Sequence, residues 1–215
     1  MHISEGVLSA PVLVTGVALA VAGTSVGLKK MDYEKIPQVA VLSSAFFVAS
    51  LIHVPVGPSS VHLILNGVNG LLLGWSCFPS ILVALALQAI LFQFGGITVL
   101  GVNTITMALP GVICYYLFGK LINQKRGFIS LVAAFACGFV AVLISGILVA
   151  ISLLFTEESF MSVAKLIVLA HLPVMIIEGT ITLFCVAFLK RVKPELLGGI
   201  YGNWKEKPIR SGFNL

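Results

Sequence analysis

The stretch Gly127–Leu154 reads GFISLVAAFACGFVAVLISGILVAISLL and contains no charged residue. A helix needs about 20 predominantly apolar residues to cross a bilayer, so this stretch predicts a membrane-spanning helix. The whole chain has the same character, because 59% of its residues are hydrophobic, only 10% are charged and its mean hydropathy is +1.10. This composition excludes an ordinary soluble domain and predicts an all-α polytopic membrane protein.

Other apolar runs lie on both sides of this stretch, and residues typical of turns separate them. The pattern predicts about seven transmembrane helices, at about 11–28, 38–53, 61–75, 80–94, 101–119, 127–154 and 163–189. We therefore expect a seven-helix membrane domain over residues 1–193 and a polar cytoplasmic tail over residues 194–215.

The positive charges favour one orientation of these helices in the membrane. Seven helices place one group of basic residues on a single side, namely Lys29, Lys30, Lys35, Lys120, Lys125, Arg126, Lys190, Arg191 and Lys193. The opposite side has Lys165 as its only basic residue. Basic loops face the cytoplasm, so the N-terminus is predicted to lie outside and the C-terminus inside. The net charge of +5 then reflects cytoplasmic loops rather than nucleic-acid binding.

The first two residues predict a metal chelate on the outer side. Met1 is expected to be retained, because His2 is too large a second residue for methionine removal. The α-amine of Met1, the amide nitrogen of His2 and the His2 imidazole can close a five-membered and a six-membered ring around one cation. With the amide deprotonated, the three nitrogens lie in a plane with one position open. Planar nitrogen coordination is typical of Ni(II) and Cu(II).

His62 is the candidate for the fourth nitrogen ligand. It follows a loop stiffened by Pro55, Gly57 and Pro58. The alternative is a histidine at the start of a helix, bonded to a neighbouring carbonyl. His53, at the other end of the loop, is interpreted as a residue that orients a ligand rather than one that coordinates the metal.

Three further polar residues are predicted to support the site. His171 and Glu178 are seven residues apart, about two helical turns, and so share a helix face. They either support the metal site and the N-terminal segment or form an interhelical pair that fixes packing. Asn103 either caps the helix that begins near it or hydrogen-bonds the N-terminal segment.

Four stretches together resemble the NikM/CbiM family, the substrate-binding membrane components of energy-coupling-factor transporters for nickel and cobalt. They are residues 1–8 (MHISEGVL), 55–62 (PVGPSSVH), 101–107 (GVNTITM) and 170–179 (AHLPVMIIEG). The resemblance implies a seven-helix prokaryotic cell-membrane protein with its N-terminus inserted into the bundle. It implies Ni(II) or Co(II) as the transported substrate, bound by Met1, His2 and one further histidine that matches His62.

The same resemblance implies partners that this chain does not encode. They are a transmembrane coupling protein, a small companion membrane subunit and cytoplasmic ATPase subunits. The sequence has no phosphate-binding G-x-x-x-x-G-K-[ST] loop and no H-E-x-x-H motif, so we do not expect an enzyme. Two rival hypotheses remain open. One is a transport component for a different substrate, and the other is an intramembrane metalloenzyme built on His62, His171 and Glu178.

Overall fold

The computed structural model describes residues 1–124 and 127–197 as a helical bundle with one short β-hairpin. The helices in this part of the chain are α1 (Ala10–Lys29), α2 (Ile36–Leu51), α3 (Asn66–Leu73), α4 (Cys77–Phe92), α5 (Leu100–Ile122), α6 (Gly127–Leu154), α7 (Met161–Ala170) and α8 (Leu172–Val192). The hairpin strands are β1 (His53–Val56) and β2 (Ser59–His62). The prediction of an all-α polytopic membrane protein is confirmed, and the hairpin is its one addition.

The predicted helix over residues 61–75 begins too early. The chain is extended from Ser59 to His62 and pairs antiparallel with β1, so His62 ends a strand instead of starting a helix. The turn between the strands depends on Gly57, whose φ of +57° is in the left-handed region that glycine adopts without strain. The Pro/Gly loop of the sequence is therefore a hairpin.

The last predicted helix, 163–189, is two helices. α7 ends at Ala170 and α8 begins at Leu172, so His171 lies at the junction between the two helices. Pro173 is in the first turn of α8, where its missing N–H group costs no helical hydrogen bond. The proline therefore explains why the helix restarts here.

Five helical stretches within the described residues are long and apolar enough to cross a membrane. They are Ala10–Lys29, Asn66–Phe92, Leu100–Ile122, Gly127–Leu154 and Glu158–Val192. The helix α2, with 16 residues, is shorter than these. The 27 residues of Asn66–Phe92 would form a rod about 40 Å long if they were one straight helix.

That stretch is instead a helical hairpin. His62 precedes α3 and Phe94 follows α4, and their ring centroids are only 5.9 Å apart. The chain therefore descends along α3, turns at Gly74–Ser76, where a short 3-10 helix lies, and returns along α4. This reversal agrees with the two separate helices that the sequence predicts here, while the prediction of seven crossings remains a prediction.

Glycines let α3 approach its neighbours at backbone contact. A Cβ atom added to Gly70 would lie 2.2 Å from the carbonyl oxygen of Gly111 on α5. A Cβ atom added to Gly67 would lie 2.7 Å from the Cα atom of Gly138 on α6. α3 is thus enclosed by α5 and α6, and the connection that carries His62 is fixed in the middle of the bundle.

Lys29 and Lys30 lie at the end of the bundle opposite His2 and His62. α1 begins beside the histidine end and finishes at Lys29, and the ammonium of Lys30 lies 5.4 Å from the centre of the Trp75 ring. Residues Pro194–Leu197 form a 3-10 helix whose Leu197 carbonyl accepts a hydrogen bond from Asn123. Lys125, Arg126 and the predicted tail from residue 198 onward lie outside the described residues.

Adding a methyl group at Gly70 tests the backbone contact between α3 and α5. We expect Gly70→Ala to destabilise the fold by about 1–3 kcal/mol, because the overpacked helices must separate. Thermal denaturation of the detergent-purified protein should show a lower midpoint. Gly127→Ala is the matched control, since a Cβ atom added there meets nothing within 4 Å. An equal midpoint for both variants would contradict the packing described.

Candidate metal centre

The N-terminal segment lies inside the bundle. Ile3 forms an antiparallel bridge with Ser59, so the segment adds a third extended chain beside β2. The amide nitrogen of Ile3 donates to Oδ1 of Asn103 at 2.9 Å, and Nδ2 of Asn103 donates to the carbonyl of Ile3 at 3.1 Å. Of the two interpretations of Asn103, the hydrogen bond to the N-terminal segment is therefore the one observed. These contacts carry Met1 and His2 inward, to 0% and 2% exposure.

Two imidazole nitrogens face each other at this inner end. Nδ1 of His2 lies 2.8 Å from Nε2 of His62, and the ring centroids are 4.7 Å apart. Sixty residues separate these histidines in the sequence. The fold thus brings together the two side chains that the sequence analysis selects as ligands.

The outer nitrogens of both rings have acceptors that fix their protonation. Nε2 of His2 lies 2.9 Å from Oε1 of Gln88. The amide nitrogen of Gln88 donates to the carbonyl of Phe47 and to Oγ of Ser50, so the amide oxygen must face His2. His62 Nδ1 lies 2.7 Å from the carbonyl of Leu63.

Carbonyl oxygens can only accept, so His2 carries its hydrogen on Nε2 and His62 carries its hydrogen on Nδ1. The two nitrogens that face each other therefore both present lone pairs. Two lone pairs at 2.8 Å repel each other unless a cation lies between them or a proton is added. The local electrostatics thus favour a bound cation.

Burial makes the proton a poor candidate for that cation. The Met1 amine and His2 precede α1, and His62 precedes α3, so all three groups lie outside the membrane-spanning segments. Burial lowers the pKa of the Met1 α-amine well below its ordinary value. Burial first, and then the nearby terminal amine, lowers the pKa of both His2 and His62 well below the usual histidine value. The lowered pKa values favour the neutral form of all three groups, in which each is a nitrogen donor.

The spacing of the donors fits a planar metal ion. With metal–nitrogen bonds of about 2.0 Å, two neighbouring nitrogens at a right angle are about 2.8 Å apart. The observed separation of 2.8 Å between His2 and His62 is that distance. Nδ1 of His2 is also the ring nitrogen that closes a six-membered chelate with the residue's own amide. No cluster of three His, Cys, Asp or Glu side chains exists among the described residues, so the remaining donors would come from the backbone.

His53 does not hydrogen-bond to either candidate ligand. It pairs with His62 across the hairpin, but its Nδ1 hydrogen-bonds the carbonyl of Leu51 at 2.9 Å and its ring is exposed. Its ring stacks on Phe94, with centroids 4.1 Å apart. The side-chain ring of His53 therefore contacts the ring of Phe94 and not those of the candidate ligands.

Glu178 contacts the segment that follows His62 and not the N-terminal segment. Its Oε1 accepts hydrogen bonds from the backbone nitrogens of Ile64, at 2.5 Å, and Leu65, at 2.8 Å. Leu65 has a φ of 52°, in the left-handed region that is strained for leucine. The carboxylate stabilises this turn and thereby the connection from His62 to α3.

His171 and Glu178 do not pair with each other. Nδ1 of His171 hydrogen-bonds the carbonyl of Ile167 at 2.6 Å, which leaves Nε2 as a lone-pair nitrogen. Within the described part of the chain, Nε2 of His171 and Oε2 of Glu178 are buried and have no hydrogen-bond partner. Neither residue contacts His2 or His62 by a hydrogen bond, so any role at the site is indirect.

Two residues at the site, Gln88 and Phe94, were not predicted from the sequence. Gln88 is fully buried and orients His2, and Phe94 lies against the His2 ring with centroids 3.9 Å apart. The signal for Gln88 was present, because it is the one polar residue between Ile81 and Phe92, and a polar residue in such an apolar run needs a partner. Phe94 gave no such signal, since an aromatic residue after a helix is common in membrane proteins.

Comparison with known proteins places the chain among metal-transport proteins. The family model described as CbiM, "Cobalt uptake substrate-specific transmembrane region", matches residues 2–196. A protein of Haemophilus influenzae, provisionally named a metal transport protein, is 43% identical and covers 92% of this chain and 97% of its own length. A fused nickel transport protein NikMN of Rhodobacter capsulatus is 30% identical over 92% of this chain, which spans 64% of that longer protein.

The fold also matches a solved structure. The crystal structure of a transition metal transporter superposes with a TM-score of 0.73 and 28% sequence identity. The match covers 89% of this chain and 93% of the other.

Removing the amide of Gln88 tests how His2 is oriented. We expect Gln88→Leu to weaken Ni(II) binding about 10–100-fold, the usual cost of losing a group that orients a metal-binding histidine. Titration of the purified protein with Ni(II) measures the effect. Gln38→Leu makes the same chemical change at the start of α2, at the basic end of the bundle, and should leave the affinity unchanged. Equal affinities for the two variants would mean that Gln88 does not orient a ligand.

Proposed function

The chain belongs to the CbiM family of cobalt-uptake transmembrane proteins, and we propose that it captures Ni(II) or Co(II) outside the cell as the substrate-binding component of an energy-coupling-factor transporter. It is a multi-pass membrane protein. The proposed ligands are the Met1 amine, the His2 amide and imidazole nitrogens, and Nε2 of His62.

One observation carries this proposal. Nδ1 of His2 and Nε2 of His62 point at each other with lone pairs, 2.8 Å apart, in a buried site. Such an arrangement is costly for an empty protein, because buried polar atoms without partners lose the hydrogen bonds they had in water. A bound divalent cation turns the repulsion into two coordination bonds.

The N-terminal segment supplies the remaining two donors. Asn103 binds both the amide nitrogen and the carbonyl of Ile3, which fixes the backbone immediately after His2. The Met1 side chain is buried, and its Cε atom lies 3.4 Å from where a Cβ atom on Gly146 would be. The α-amine is therefore positioned by apolar packing on one side and by the Asn103 clamp on the other. The proposal requires Met1 to be the free terminus of the working protein.

Glu178 and His171 have supporting roles in this proposal. Glu178 fixes the strained turn after His62 through Ile64 and Leu65, so it controls where Nε2 of His62 points. His171 lies at the α7–α8 junction and presents a buried lone-pair nitrogen. Because Glu178 is on α8, a movement of that helix would be passed to His62, which offers a route to metal release when partner proteins reorient the bundle.

The proposed partners provide the energy for transport. Since the sequence lacks a phosphate-binding loop, ATP must be hydrolysed by cytoplasmic ATPase subunits that act through a transmembrane coupling protein. A relative whose name describes a fusion supports a further partner, because it joins a region like this chain to additional sequence in one nickel transport protein.

The rival hypotheses have less support. A metalloenzyme on His62, His171 and Glu178 needs these groups to converge, but Glu178 Oε1 is occupied by Ile64 and Leu65 and does not meet His171. The relatives described above are named as metal-transport proteins. A component for a different substrate remains testable through the N-terminus, because that hypothesis requires no chelate.

Blocking the α-amine is the direct test of the chelate. One alanine placed ahead of Met1 removes the amine from its position and should lower Ni(II) affinity by at least about 100-fold, since it removes one ligand and misplaces two others. Metal content and the visible absorption of the Ni(II) protein measure the loss. His62→Ala should weaken binding similarly, while Tyr33→Ala, a change in a side chain that is 85% exposed at the basic end of the bundle, serves as a control that retains the full ligand set. Unchanged binding by the extended protein would refute the proposed chelate.

The pH dependence of binding follows from the shifted pKa values. Burial lowers the pKa of the Met1 amine and of both histidines, so between about pH 6.5 and 8, where a free amine and imidazole begin to take up protons, these groups stay neutral. Only the His2 amide must then release a proton on binding.

The logarithm of the Ni(II) affinity should therefore rise by about one for each pH unit in this range. Its dependence on pH should become steeper only at more acidic pH. Competition titrations at several pH values measure the slope, with the free peptide Met-His as the reference. A slope of zero would mean that the amide does not bind the metal.

A further inference from the structure

Phe94 forms one wall of the proposed metal site. Its ring centroid lies 3.9 Å from that of His2, with an angle of 34° between the planes. On its other side the ring stacks on His53, with centroids 4.1 Å apart and an angle of 23°. Phe94 is thus enclosed between the face of a proposed ligand and an exposed histidine at the surface.

The backbone after α4 is built to place this ring. Gln93 has a φ of 54° and ends the helix, and the amide of Phe94 turns back to the carbonyl of Gln88 at 3.2 Å. Gly95 and Gly96 follow with φ values of +84° and +119°. A Cβ atom on Gly95 would lie 3.0 Å from Cδ2 of His2. The loop therefore needs glycine both for its conformation and for its contact with His2.

The far end of the loop is fastened to the N-terminal segment. The amide of Thr98 donates to Oε1 of Glu5 at 3.1 Å, and a Cβ atom on Gly96 would lie 2.8 Å from the Glu5 side chain. The loop and the chelating terminus consequently position each other, and the ring of Phe94 cannot move away from His2 without disturbing both.

A ring on the face of His2 has a chemical consequence. A cation bound through Nδ1 within a chelate lies in the plane of the imidazole. Groups stacked on the face of that ring therefore lie above the coordination plane, where a water molecule or another axial ligand would approach. Planar four-nitrogen sites suit Ni(II) and Cu(II), whereas ions that prefer more ligands need that axial position.

We infer that Phe94 is a specificity-determining residue that covers one axial position of the planar metal ion, excludes water from it, and so favours ions that accept four ligands in a plane. His53 supports the ring from behind. The inference rests on the proposed function, because it requires the chelate at Met1 and His2. A residue that only gated the entrance to the site would alter the rates of metal binding and leave the coordination of the bound ion unchanged.

The test compares Phe94→Ala with Phe92→Ala. Phe92 ends the same helix, but its side chain is 55% exposed and contacts Phe47 instead of His2, with centroids 5.9 Å apart. Both variants are loaded with Cu(II) as a probe and transferred to D₂O, and pulsed electron paramagnetic resonance counts the deuterons of directly bound water. We expect Phe94→Ala to gain one axial water that the unchanged protein and Phe92→Ala lack.

A second measurement gives the consequence for selectivity. The ratio of Ni(II) to Co(II) affinity should fall about tenfold in Phe94→Ala and stay unchanged in Phe92→Ala. In the unchanged Cu(II) protein the deuteron count should correspond to at most one bound water, because one of the two axial positions is covered, and this arm needs no variant to fold.

The outcomes separate the inference from the function it depends on. Chelate-dependent binding with equal water counts and equal metal ratios in both variants would overturn the role of Phe94 alone, as would two axial waters in the unchanged protein. Binding that survives the alanine extension ahead of Met1 would overturn the proposed function itself.

Discussion

The structure depends on one unfavourable contact, the approach of two lone-pair nitrogens from His2 and His62 to 2.8 Å inside a buried site. The outer nitrogens of the two rings donate hydrogen bonds to the Gln88 amide oxygen and to the Leu63 carbonyl. The hydrogen of each ring therefore stays on its outer nitrogen and not between the two rings. This contact lowers the stability of the metal-free protein, and a bound divalent cation removes the repulsion. Binding and local stability are therefore coupled in the same few atoms.

Hydrogen bonds elsewhere in the fold keep the two rings at this distance. Ile3 is held by Ser59 and Asn103, so the terminus cannot withdraw from the bundle. Glu178 fixes the turn that follows His62. Each ligand is thus positioned by a different part of the chain, and the site is assembled only when the hairpin, α5 and α8 pack together.

Apolar runs were sufficient to predict that the chain is helical and where most of its helices lie, because a helix that crosses a bilayer must be long and apolar. α6 has the predicted bounds of 127–154. Local turn geometry was not predictable in the same way. The sequence suggested a loop before His62 but not the pairing of β1 with β2, which depends on a left-handed glycine and on the third chain at Ile3.

The donors in Met1-His2 could be predicted from the sequence, because a terminal amine, an amide and an imidazole are adjacent there whatever the fold. The residues that only contact the proposed ligands could not be predicted in this way. Gln88 is 86 residues from His2 in the sequence, and three helices, the β-hairpin and most of α4 lie between them. Only tertiary packing shows that Gln88 and Phe94 touch His2.

X-ray absorption at the nickel edge of the Ni(II)-loaded protein tests the central claim most directly. The account predicts the pre-edge feature of a planar ion and a first shell of four nitrogens, with no sulfur. A six-coordinate spectrum, or one that includes a thiolate or thioether ligand, would contradict the proposed chelate of Met1, His2 and His62.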